Sequence, residues 1–158
     1  MGEFELIRNY FAAAPCAQTG EGVALGIGDD CALLTLPPGE QLAVSTDTLV
    51  TGVHFPDGCD PFLLGQRALA VSASDLAAMG ATPVAFTLAL TLPNVSADWL
   101  QHFAQGLNLM AQGCGLRPRS SGFGADPQRR TARRPAVCRR LIGRCGGCIA
   151  TRVEPAQC

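Results

Sequence analysis

The sequence predicts an α+β domain over residues 1–116, a mixed sheet with helices on one face, followed by a mostly unstructured tail over residues 117–158. Three observations carry this expectation. Short apolar runs bounded by Pro and Gly are interleaved with two long helical patterns, and a 158-residue chain that is 47% hydrophobic has enough apolar material for one core. Composition then changes near Leu116. Residues 1–116 carry 2 basic residues, Arg8 and Arg67, against 11 acidic ones, whereas residues 117–158 carry 10 arginines against Asp126 and Glu154.

Taken in order, Phe4, Ile7 and Phe11, joined by Leu6 and Tyr10, recur at helical spacing and predict a short opening helix over Glu3–Ala13, ended by Pro15. Next comes Leu25-Gly26-Ile27-Gly28-Asp29-Asp30-Cys31, in which glycines deliver paired carboxylates between apolar residues. Glycine lets a ligand approach the main chain and Asp oxygens suit a hard cation such as Mg²⁺, although the pattern alone also describes an acidic turn. Cys31–Leu36 reads as a strand stopped by Pro37-Pro38-Gly39, and Gln41–Ser45 as its antiparallel neighbour. That neighbour runs into Ser45-Thr46-Asp47-Thr48, which would bring a second acidic cluster towards the first. His54, between Val53 and Phe55, is either a structural imidazole or a phosphate contact.

Asp60-Pro61 reads as an N-cap with proline at the first helical position, and Gly80 as the residue just past the C-cap, so a helix of about five turns lies between them. Its small residues, Ala68–Ala70 and Ser72-Ala73-Ser74, permit close packing on a sheet. Asp75 on this helix either faces solvent or supplies a further metal ligand, because an unpaired buried carboxylate is costly. Pro83–Leu92 predicts a central strand, and Ser96 caps a helix whose Trp99, Phe103, Leu107 and Met110 lie along one side, with Trp99 in the core.

Laid out in this order, Gly-Ile-Gly-Asp-Asp-Cys-Ala (26–32), Ser-Thr-Asp-Thr-Leu-Val (45–50), Val-His-Phe (53–55) and Ser-Asp-Leu-Ala-Ala-Met-Gly-Ala (74–81) resemble the thiamine-monophosphate kinase family of the aminoimidazole-ribonucleotide-synthetase-like superfamily. The resemblance runs from Gly2 to about Leu116 and covers the family's N-terminal domain. It implies a kinase that uses Mg²⁺ and ATP to phosphorylate thiamine monophosphate to thiamine diphosphate, built as a homodimer through its sheet. It also implies that Asp30, Thr46, Asp47 and Asp75 are metal-binding, with Ser45 as an additional ligand, and that His54 contacts substrate; nucleotide-binding residues are not assigned. Phosphoryl transfer needs chiefly positioning and charge neutralisation, which clustered carboxylates provide by holding Mg²⁺ on phosphates.

After Leu116, where the family continues with Gly-Gly-Asp-Thr, this chain has Arg117-Pro118-Arg119-Ser120-Ser121-Gly122, and Gly146-Gly147 is followed by Cys148. Three readings of the tail compete. It is a basic arm for nucleic acid, a zinc site built on Cys138, Cys145, Cys148 and Cys158, or a shifted reading frame, since GC-rich DNA read out of frame tends to give Arg, Pro, Gly, Ala and Cys. The shifted frame fits the abrupt loss of periodicity best, and a nucleic-acid partner is not expected. The fragment is then expected to be inactive alone. The alternative is a non-catalytic dimerising or Mg²⁺-binding module with a nucleic-acid- or zinc-binding tail. With no apolar run long enough to span a bilayer and no signal-peptide pattern, the expected location is the cytoplasm, where free thiols are the norm.

Overall fold

The computed structural model describes residues 2–18, 22–94 and 96–116, together with the backbone of residues 147–153. Residues 117–146 and 154–158 lie outside the described residues, and with them the basic-arm, shifted-frame and zinc readings, including Cys138, Cys145 and Cys158.

The opening helix forms as expected but in two windings, α1 over Glu3–Leu6 and a π-helical continuation over Ile7–Ala12. Ile7 and Phe11 turn inward from it, while Phe4, expected on the packing face, is exposed. A turn over Pro15–Ala17 follows, where the Cys16 backbone N–H donates to the Asn108 side chain at 3.1 Å.

Strands β1 (Val23–Leu25) and β2 (Leu33–Leu34) pair antiparallel as a small ribbon. The sequence pairs the Cys31–Leu36 strand with the one after it; the structure folds it back on the one before. The reason lies in Pro37-Pro38-Gly39: two successive prolines supply no N–H for a ladder, and Gly39 turns at φ +82°. Strand β3 (Gln41–Asp47) therefore belongs to a different sheet.

Helix α2 (Pro61–Ala78) begins where Asp60 accepts a hydrogen bond from the Phe62 N–H at 2.9 Å. It ends on Gly80 at φ +67°, with the Ala81 N–H donating to the Leu76 carbonyl at 3.1 Å and that of Gly80 to Ala77 at 2.9 Å. These two bonds form a Schellman cap. Helix α3 (Ala97–Gly113) is built alike, with Ser96 as N-cap and Gly115 at φ +83° closing its far end. Asp60→Ala is expected to cost about 1 kcal/mol, the usual worth of an N-cap, read as a lower urea midpoint with unchanged slope.

Strand β4 (Thr82–Leu88) begins one residue before the apolar run Pro83–Leu92 and ends four residues short of its end. It is also not central. Among the described residues the larger sheet has the order β3-β5-β4, with β5 (Gly147–Val153) antiparallel to both neighbours. Residues 147–153 thus supply the middle strand of the sheet as described, with β4 at its edge. The α+β class holds, with α2 against the sheet and α3 against α2.

Phe86, Leu88, Leu69, Leu76, Leu100 and Phe103 belong to the main core between sheet and helices. Register slips between Pro83 and Ala85, and Val84 and Ala85 pack instead with Val23 and Leu34 of the small ribbon. Trp99 is half-buried rather than fully in the core, its ring stacked on Phe103 with centroids 4.8 Å apart. Where α2 meets α3, Gly65 and Gly106 each lie against a backbone carbonyl of the other helix, Phe103 and Phe62 respectively.

Candidate functional site

Strand alternation decides which residues of Ser45-Thr46-Asp47 can work together. Ser45 and Asp47, two apart, share the face of β3 that meets α2, and Thr46 falls on the opposite, exposed face. On α2, Ser72 and Asp75 are three apart and so share a face. The two elements exchange hydrogen bonds. The Ser72 hydroxyl donates to Asp47 Oδ2 at 2.8 Å, and the Ser45 hydroxyl donates to Asp75 Oδ2 at 3.4 Å. Each element therefore contributes one hydroxyl and one carboxylate to a common junction.

Of the residues singled out in the sequence, the structure brings together Ser45, Asp47 and Asp75. Asp30 does not join them: among the described residues no three carboxylate, imidazole or thiol groups lie close enough to hold a metal. The cause is the separate ribbon. Its loop, with Gly28 at φ +120°, closes on itself through the Asp30 N–H donating to the Asp29 carboxylate at 2.8 Å. Both side chains are exposed there.

His54 lies in a compact turn over residues 50–55, where the Gly52 N–H donates to the Phe55 carbonyl at 2.7 Å. Its Nδ1 accepts from the Val50 N–H at 3.0 Å, which places the ring hydrogen on Nε2 and leaves that atom to a ligand. The imidazole is exposed. Cys114 is a different matter, since partial burial pushes its thiol up from the usual range.

Sequence reading missed Ser72, taking it as a small packing residue. Its place three residues before Asp75 on one helix was the available signal. The donors of the junction are all oxygen and include two carboxylates, a set that fits a hard divalent cation completing its shell with water and phosphate.

Residues 28–118 match the family model for AIR synthase related protein, N-terminal domain. Thiamine-monophosphate kinase of Escherichia coli K12 is 55% identical over 106 residues, which are 67% of this chain and 32% of that protein. The Haemophilus influenzae thiamine-monophosphate kinase is 49% identical over 107 residues, again 32% of its length. The chain thus spans about a third of the length of these relatives. The crystal structure of thiamine-monophosphate kinase from Stenotrophomonas maltophilia K279a superposes with a TM-score of 0.59 at 36% identity, covering 84% of this chain and 36% of that one. AaThiL complexed with AMPPCP and TMP shares the fold, with a TM-score of 0.55 at 20% identity over 76% of this chain and 35% of that one. The helices on a sheet, the junction of β3 with α2 and the family match over more than half of the chain lead to one assignment: the chain belongs to the AIR synthase related protein family and carries its N-terminal domain.

Proposed function

We propose that residues 1–116, their sheet completed by a strand from beyond position 146, supply the cation-holding half of a thiamine-monophosphate kinase. The carrying observation is the paired hydroxyl–carboxylate junction of β3 and α2, lying within residues 28–118 that match the family model, in a chain 55% identical over 106 residues to such a kinase. In this reading Asp47 and Asp75, with the Ser45 hydroxyl, hold Mg²⁺, and the His54 Nε2–H donates to a phosphate oxygen of thiamine monophosphate. A cation held there would supply charge neutralisation for the phosphates of ATP in the transfer of a phosphoryl group to the phosphate of thiamine monophosphate, which gives thiamine diphosphate and ADP. The reading leans on Asp47 and Asp75 and asks nothing of Asp30 or Thr46.

Two further parts belong to the proposal. Leu42 and Val44 stand exposed on the side of β3 that faces away from α2, at 39% and 57%, an apolar strip suited to a homodimer formed through the sheet. No helix among the described residues is long and apolar enough to cross a membrane, in keeping with a cytoplasmic enzyme.

The test is a chimaera in which residues 1–116 replace the matching N-terminal third of the Escherichia coli enzyme. With Mg-ATP and thiamine monophosphate it is expected to form thiamine diphosphate, read by chromatography, and Asp47→Ala is expected to lower turnover by about 10²–10³-fold. A folded chimaera without activity, or an active one indifferent to Asp47→Ala, would overturn the reading. The 158-residue chain by itself is expected to give no measurable product, because groups that act as a unit around two phosphates do not contribute independent shares.

A further inference from the structure

We propose that Ser72 is a positioning residue for Asp47, holding that carboxylate so that one oxygen is presented to a cation. The inference rests on the cation reading of the β3–α2 junction. Ser72 is the buried polar side chain among the described residues, with 1% of its surface exposed. A serine inside a helix ordinarily turns its hydroxyl back to the carbonyl four residues earlier, here that of Ala68. This hydroxyl instead reaches across to the neighbouring strand and donates to Asp47 Oδ2 at 2.8 Å. A hydrogen bond from a neutral donor to an ionised acceptor is roughly twice as strong as one between neutral groups.

Two consequences follow for Asp47. Its Oδ2 is drawn towards the helix, and Oδ1 is the oxygen left for a ligand. Its rotation is also fixed by a partner that is itself fixed, since a fully buried serine on the middle of α2 has no room to reorient. The companion bond, from the Ser45 hydroxyl to Asp75 Oδ2, is longer at 3.4 Å and exposed. Asp75 can swing to meet a cation, whereas Asp47 is set in advance. A cation site of this kind has one carboxylate held in place and one that adapts to it.

A purely structural Ser72 would contribute only to the packing of α2 on β3. The two roles separate in cation affinity. The full chain is titrated with Mn²⁺, free ion being followed by electron paramagnetic resonance, and melting is recorded without cation. Ser72→Ala retains the helix and is expected to weaken Mn²⁺ binding about tenfold, the scale seen when a partner of a metal-bound group is removed. Ser72→Thr restores the hydroxyl and is expected to recover most of that loss. In an Asp75→Asn background, where Asp47 keeps its bond from Ser72, Ser72→Ala is expected to add the full tenfold. Wild-type Mn²⁺ affinity in Ser72→Ala, or no recovery in Ser72→Thr, would overturn the positioning role while leaving the cation reading in place. Absence of Mn²⁺ binding by the wild-type chain would overturn both.

Discussion

Asp47→Asn is expected to abolish the rise in melting temperature that Mg²⁺ gives the wild-type chain, while leaving the cation-free protein close to its original stability. A cation present at about a hundred times its dissociation constant stabilises the folded state by about 2.7 kcal/mol, or roughly 5–10 °C for a chain of this size. Asparagine keeps an oxygen to accept the Ser72 hydrogen bond and removes the charge, so the fold is retained and the attraction is lost. Asp47→Ala would blur the comparison, because it also leaves a buried hydroxyl to find another acceptor. Asp75→Asn should reduce the shift, and Asp30→Ala should leave it intact, since Asp30 stands on a loop closed on itself. A shift that survives Asp47→Asn, or disappears with Asp30→Ala, places the cation elsewhere. Differential scanning fluorimetry with and without Mg²⁺ reads all four proteins.

Gly106→Ala is expected to destabilise the chain by about 3 kcal/mol or more, lowering the melting temperature by roughly 10 °C. Alanine is the better helix former by about 1 kcal/mol, so local propensity argues the other way. Packing decides the sign. A Cβ on Gly106 would meet the backbone carbonyl of Phe62, and neither that group nor the Gln66 amide beside it can rotate aside as a side chain would. Gly65→Ala meets the Phe103 carbonyl from the opposite helix and should cost a similar amount. Gly113, near the end of the same helix as Gly106, has open space for 4 Å around the place a Cβ would take, and Gly113→Ala should stabilise by up to about 1 kcal/mol. Urea unfolding of the three variants settles the contrast; equal effects at Gly106 and Gly113 would rule out the close helix contact.

What could be read beforehand follows from the range of each interaction. The ends of α2 were visible because Asp60, Pro61 and Gly80 act on backbone within four residues of themselves, and the Ser96 cap of α3 was visible for the same reason. Strand partners were not. An apolar run says that a strand will be covered, but nothing within Pro83–Leu92 says that residues from beyond position 146 will pair with it. The close approach of α2 to α3 at Gly65 and at Gly106 is equally invisible, since a glycine in a helix reads only as a weak helix former. In the site, the family resemblance named Ser45, Asp47 and Asp75, which meet at the junction of β3 and α2. Ser72 was hidden by its size. Where Asp30 would stand was not legible either, since the ribbon that carries it pairs with itself and not with β3.

Strand β5 has a consequence for the order in which the molecule assembles. Gln41 pairs with Val153 and Asp47 with Gly147, so the ladder with β3 joins residues about a hundred positions apart, and that with β4 about sixty or more. Loop closure over such distances must precede any reward from the ladder, which makes the sheet a late event in folding. On a ribosome α2, β4 and α3 emerge well before the strand that completes their sheet. Until it arrives, β3 and β4 present facing rows of unpaired backbone donors and acceptors, a gap that any extended segment could enter. The helices can therefore dock early through Gly65 and Gly106, while the sheet stays open to the wrong strand for as long as synthesis takes to reach position 153.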